Sequence, residues 1–142
     1  MKNRIICFLT LALSSLISGI LISKMSFVGK IGISIIHTEY ILLKTWWKTA
    51  LLFFIIQAFL HIILSLWQFR NSETKARFIL PTLFFALGIL GLYYTHYDFT
   101  ETSHRLLKIS FHSGFYLFWA TWLLNCVSFF VMFWKIDKTE NI

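Results

Sequence analysis

The sequence predicts an all-α integral membrane protein, a four-transmembrane-helix bundle with an interfacial amphipathic helix between spans 1 and 2. Three observations lead there. Of the 142 residues, 58% are hydrophobic and only 13% charged, at a mean hydropathy of +0.73. A soluble domain is about half apolar and about a quarter charged. Four stretches approach the roughly 20 apolar residues needed to cross a bilayer, and none of them contains Asp, Glu, Lys or Arg. The polar residues inside those stretches recur at helical spacing. A chain this short has too little interior to hide so many Phe, Leu and Ile side chains from water. These features exclude a soluble enzyme, a disordered chain and a disulfide-stapled secreted module. The whole of 1–142 reads as a single membrane domain.

The first span runs from Ile5 to Ile22. Lys2 and Arg4 precede it in the manner of a signal peptide, and Ala12-Leu13-Ser14 is a weak cleavage site. The run stays apolar well past that point, so an uncleaved helix is expected. The connector that follows holds the interfacial segment, 26–46. Its apolar core, Ile31 to Leu43, is too short to span. On a helical wheel Phe27, Ile31, Ile35, Leu42 and Trp46 form one side, with Lys30, Ser34, Thr38 and Lys44 towards the other. Such a helix lies in the interface plane or re-enters against the bundle.

The second span, Thr49 to Phe69, is flanked by Trp46, Trp47 and Lys48 at one end and by Trp67 and Arg70 at the other. Aromatic and charged residues gather in this way at the two membrane interfaces. The third span, Phe78 to Tyr94, carries Pro81 in its first turns, where a missing N–H does least harm. An outer loop, 95–112, is expected next, with a short amphipathic piece from Phe99 to Phe111. Asp98 and Glu101 have the N-cap and N3 spacing to start it. The fourth span runs from Ser113 to Trp134.

A net charge of +7 and a pI near 9.7 would suggest nucleic acid in a soluble protein. Here the 13 Lys and Arg sit in loops and at the ends of apolar runs, without a block of five or more like charges. They read as topology signals and headgroup contacts, and no nucleic-acid partner is expected. Lys30, Lys44 and Lys48, with Trp46 and Trp47, form the candidate lipid-contact surface. Placing both termini in the cytoplasm puts Lys2, Arg4, Arg70, Lys75, Arg77, Lys135 and Lys138 inside, against six basic residues outside. The Phe- and Ile-rich, Gly- and Pro-poor usage fits a bacterial inner membrane.

Candidate site residues fall in two groups. Gln57, His61 and Ser65 on the second span, Thr82 on the third, and Thr121, Asn125 and Ser128 on the fourth should form an intramembrane polar seam, as should Thr10, Ser14 and Ser18 on the first. Unpaired polar groups are costly in lipid, so these faces should point inward and bond across helices. His61 follows Lys48, and Asn125 follows His112, by the same thirteen residues, which places both about 20 Å below the outer ends. Gln57 and Thr121 form a second layer, and Thr82 reaches the His61 level from the opposite side. Ser15 and Gly19 offer a close-packing patch. An ionisable group inside a membrane is also a functional candidate, so His61 could relay a proton, bind a quinone or ligate haem iron.

The second group is His37, His96, His104 and His112, on one side of the membrane with Glu39, Asp98 and Glu101, a ligand set suited to a transition metal. On one continuous helix His104 and His112 lie about 12 Å apart, too far to share an ion. Cys7 and Cys126 read as small buried apolar residues. No GxSxG, HExxH or phosphate-binding glycine loop is present. The absence of an intramembrane carboxylate argues against an ion-coupled pump. No cofactor is expected. The expectation is a non-catalytic accessory protein that binds anionic lipid or a membrane partner, either another membrane protein or a second copy. The alternative is a redox subunit with quinone or haem near His61, or metal at the outer histidines.

Overall fold

Four α-helices make up nearly all of the described residues: α1 (Lys2–Ser23), α2 (Trp46–Arg70), α3 (Thr74–Glu101) and α4 (Ile109–Glu140). The computed structural model describes residues 2–24, 43, 45–71, 73–102 and 108–140, excepting the side chains of 2–5, 74 and 133–140. All four helices are long and apolar enough to cross a membrane. Each outruns the apolar stretch that announces it, because backbone hydrogen bonding continues into the polar flanks after hydropathy falls. The interfacial segment 26–46 lies outside the described residues except for Leu43, Thr45 and Trp46, and Trp46 opens α2.

The outer loop is where helix displaces the expected boundary. α3 carries on through 95–101, so Asp98 and Glu101 sit in its last turn and do not start a new element. The Asp98 carbonyl oxygen accepts from the Thr102 amide at 3.2 Å and from its hydroxyl at 2.6 Å. Asp98 thus helps to end a helix. A carboxylate followed three residues later by another reads the same from sequence at either end, and the continuing hydrogen bonds decide between them.

Successive helices run in opposite directions. The C-terminal half of α1 meets the start of α2, and Cys7 near its beginning meets His61 far along α2. α1 packs against α2 and α4; α3 packs mainly against α4 and more lightly against α2; α1 and α3 do not touch among the described residues. The result is a central α2–α4 pair with α1 on one side and α3 on the other. A tight hairpin joins α2 to α3: the Trp67 indole donates to the Ala76 carbonyl at 3.0 Å and Arg77 Nε to the Asn71 carbonyl at 2.7 Å.

Two kinds of close approach hold the flanking helices. On the α1 side backbones meet. A Cβ at Gly19 would stand 2.6 Å from the Trp46 carbonyl oxygen and 2.8 Å from Ala50 Cβ, and one at Gly114 would stand 2.9 Å from the Ser18 carbonyl oxygen. On the α3 side Gly88 and Gly91 make room for the rings of Trp122 and Trp119. Those indoles donate inward, Trp119 to Thr95 Oγ1 at 2.8 Å and Trp122 to the Phe84 carbonyl at 2.9 Å. Two apolar clusters fill the remaining interior. Ile22, Phe53, Phe111 and Phe118 lie at one end, and Leu60, Leu64, Cys126 and Phe129 at the other.

Gly19→Ala forces α1 away from two backbone groups that cannot rotate aside, and should cost about 1–3 kcal/mol. Ala86→Leu, on an outward face, should change stability by less than about 0.5 kcal/mol. Unfolding in detergent, followed by circular dichroism, measures both; equal effects would mean that α1 is not packed backbone to backbone.

Candidate functional site

The interior of the bundle holds an unusual number of polar side chains. Ser15, Ser18, Thr49, Gln57, His61, Thr121 and Asn125 are all buried, whereas Leu13, Phe59, Leu66, Ile79 and Leu124 are more than half exposed. Polarity is thus turned inward across the α2–α4 contact.

At the centre, His61 Nδ1 and Asn125 Oδ1 are 2.8 Å apart, both residues fully enclosed. The other end of the Asn125 amide fixes the direction of this bond. Asn125 Nδ2 donates to the Gln57 carbonyl at 3.4 Å, so the oxygen faces His61 and Nδ1 carries the proton. Gln57 Nε2 in turn donates to the Phe118 carbonyl at 3.0 Å, returning the chain of bonds to α4. Spacing explains the alignment: Gln57 and His61 are one turn apart on one face of α2, Phe118 and Asn125 two turns apart on one face of α4, and Asn125 reaches both the His61 ring and the Gln57 carbonyl.

Around this ladder the surroundings are aromatic and soft. Phe8 approaches the His61 ring edge-on at 5.0 Å, and Phe129 lies at 5.1 Å. Cys7 Sγ is 3.6 Å from His61 Nδ1. With Nδ1 already donating to Asn125, the Cys7 thiol has no lone pair there to donate to. The contact is packing by a weakly polar sulfur, and it does not form a nucleophile–base pair. His61 Nε2 is then the acceptor nitrogen, with no bonding partner among the described residues.

The expected seam residues do not all meet. Thr82 is exposed, and its hydroxyl donates to the Phe78 carbonyl of its own helix at 2.8 Å. It belongs outside the seam, because α3 turns the face of Pro81, Phe84, Gly88 and Gly91 towards its neighbours and Thr82 lies about 100° round from Pro81. Thr121 is buried but bonds the Leu117 carbonyl at 2.8 Å. Ser65 is half-buried without a side-chain hydrogen bond among the described residues. Ser128 donates to the Asn125 carbonyl at 2.6 Å. On α1, Thr10 faces outward and Ser14 is only half-buried, each bonding a carbonyl four residues back, while Ser15 and Ser18 face in.

At the other candidate surface, Trp46, Trp47 and Lys48 are exposed, with Lys48 Nζ 5.5 Å from the Trp47 ring centroid. Lys30 and Lys44 lie outside the described residues, as do His37 and His104. His96 Nδ1 shares a hydrogen bond with the Tyr116 hydroxyl at 3.1 Å, and the His112 ring stacks on Phe99 at 4.2 Å. Among the described residues no three His, Cys, Asp or Glu side chains come together as a metal site. Sequence reasoning missed the inward roles of Trp119 and Trp122. The signal was available in Gly88 and Gly91, whose spacing makes a slot on α3. Comparison of the chain with protein-family models, with curated proteins and with solved structures finds no match.

A double-mutant cycle on His61→Ala and Asn125→Ala should give a coupling of about 0.6–1.7 kcal/mol, the range for bonds between membrane helices. Thr82→Ala should be silent within about 0.5 kcal/mol. Zero coupling in the cycle would mean the two side chains do not bond.

Proposed function

We propose that this chain is a small integral membrane protein of the bacterial inner membrane, with both termini cytoplasmic. In this reading it acts without catalysis, as an accessory subunit that binds anionic lipid or a membrane partner. The observation that carries the reading is the direction of polarity: buried His61, Asn125 and Gln57 bond one another or backbone, while the outward faces are Leu, Ile and Phe. That distribution suits lipid as the surrounding medium, since lipid offers no hydrogen bonds and no penalty for exposed hydrocarbon. In the interior, His61, Asn125 and Gln57 are engaged in holding α2 and α4 together. The chemistry left for recognition therefore lies at the bundle's ends.

The Trp46–Trp47–Lys48 collar is the best candidate there. In this reading its exposed indoles would lie in the headgroup region, which aromatic rings favour, and the exposed Lys48 keeps its ammonium close to Trp47. Together they would hold a lipid phosphate beside an apolar wall. The orientation rests on the alternation of helix direction, which gathers the N-terminus, the Arg70–Arg77 hairpin and the end of α4 at one side with seven Lys and Arg.

A redox role is the second reading, favoured by one detail. His61 donates through Nδ1 and keeps Nε2 as a free acceptor, the arrangement in which an imidazole can ligate haem iron or accept from a quinol. Metal at the outer histidines is the other form of that reading.

Native mass spectrometry of the full chain in mild detergent, with phosphatidylglycerol and phosphatidylcholine offered together, tests the first reading. Phosphatidylglycerol should be retained preferentially, and Lys48→Gln should weaken that preference about fivefold, corresponding to about 1 kcal/mol for a basic residue at the surface. Equal retention of both lipids, or a stoichiometric Soret band in the purified protein, would turn the account towards the redox reading.

A further inference from the structure

Three buried polar atoms on the α1 side of the seam have no hydrogen-bond partner among the described residues: Ser15 Oγ, Ser18 Oγ and Gln57 Oε1. Their residues are 3%, 1% and 0% exposed. The two serines differ from other hydroxyls on α1 and on the other helices. Thr10, Ser14, Thr49, Thr82 and Thr121 each donate to the carbonyl four residues back, and Ser15 and Ser18 do not. A hydroxyl that forgoes the bond nearest to hand, in a place that excludes solvent, requires another partner.

Register brings the three atoms to one neighbourhood. α1 runs antiparallel to α4, with the Ser18 carbonyl and the Ile22 side chain against Gly114. One turn along both helices from that point, about 5 Å, are Ser15 on α1 and Phe118 on α4. The Gln57 side chain reaches this level from α2, because its Nε2 bonds the Phe118 carbonyl. Its Oε1 is therefore held among α1, α2 and α4, where Ser15 and Ser18 also face.

The chemistry of the three atoms selects the occupant. Gln57 Oε1 only accepts, so the partner must donate; a serine hydroxyl both donates and accepts. The buried side chains here carry no charge, so the partner is neutral. Backbone contact at Gly19 and Gly114 holds α1 close to both neighbours, so the partner is small. The geometry points to a buried hydration site, with one or two water molecules bridging Gln57 Oε1 to the hydroxyls of Ser15 and Ser18. Three polar partners are what an internal water ordinarily has. These waters extend the His61–Asn125–Gln57 ladder across to α1, whose other contacts with it among the described residues are the soft ones of Cys7 and Phe8.

Water-edited solid-state NMR on the full chain in bilayers tests this. Magnetisation from water should build up at the Gln57 side-chain amide several times faster than at Leu60 or Phe129 in the apolar cluster. Replacing both serines, Ser15→Ala with Ser18→Ala, should slow the Gln57 build-up to the Leu60 rate and leave the His61 ring signals in place. A Gln57 amide as slow as Leu60 in the unaltered protein overturns the site, whatever the variant does. So does a fast Gln57 amide that the double replacement leaves unchanged, because the water would then not be held by the serines.

Discussion

The His61–Asn125 hydrogen bond is the interaction on which the arrangement of this bundle depends. α2 and α4 are parallel and meet through long side chains, so close backbone contact does not set their relative height. What sets it is a run of directional bonds: His61 to Asn125, Asn125 to the Gln57 carbonyl, and Gln57 to the Phe118 carbonyl. Sliding one helix by a residue breaks all three and leaves an imidazole and two amides unpaired among phenylalanines, each at a cost of about 1–3 kcal/mol. Apolar packing is far more forgiving of such a slip, because one leucine replaces another with little loss. The polar ladder therefore gives the bundle a single register, and the hydrocarbon around it gives the bundle its bulk.

The two flanking helices attach to this pair by different means. α1 carries small residues, Ser15, Ser18 and Gly19, on the face it buries, and approaches until backbone touches backbone. α3 offers Gly88 and Gly91 as a slot for two tryptophans from α4, whose indole N–H groups find acceptors on α3. Small residues permit close dispersion contact where no hydrophobic drive separates helix from lipid. An indole in a glycine slot achieves the same contact with a bulky group. On the outer faces, the hydroxyls of Thr10 and Thr82 are turned back onto carbonyls of their own helices.

Much of this was legible in the sequence, and the exceptions have physical causes. Apolar run length located all four helices, and helical spacing singled out Gln57 and His61 on one face of the second span and Asn125 on a face of the fourth. Helix ends were harder to place. Hydropathy marks where apolar residues stop, while hydrogen bonding carries α3 on through Asp98 to Glu101. Which face of a helix points inward was also hard for α3, where Thr82 is the only polar residue in the apolar run and gives no phase by itself. The glycines at 88 and 91 held that information, through packing with tryptophans more than twenty-five residues away in the chain. On α1 the choice between Ser14 and Ser15 turned on about 100° of rotation, decided by where Gly19 meets Ala50. Such distinctions come from pairwise contact between helices, which a single-helix pattern does not contain.

The most direct test of the central bond is the tautomer of His61, read from its two ring nitrogen signals in 15N NMR of the protein in bilayers. Because the Asn125 amide nitrogen is committed to the Gln57 carbonyl, its oxygen must receive the His61 proton, and the account predicts a protonated Nδ1 with a bare Nε2. On replacement of Asn125 by Leu, that preference should disappear. A bare Nδ1 with a protonated Nε2 in the unaltered protein would contradict the account, because the run of bonds from His61 through Asn125 to the Gln57 carbonyl, which fixes the register of α2 and α4, could not then exist.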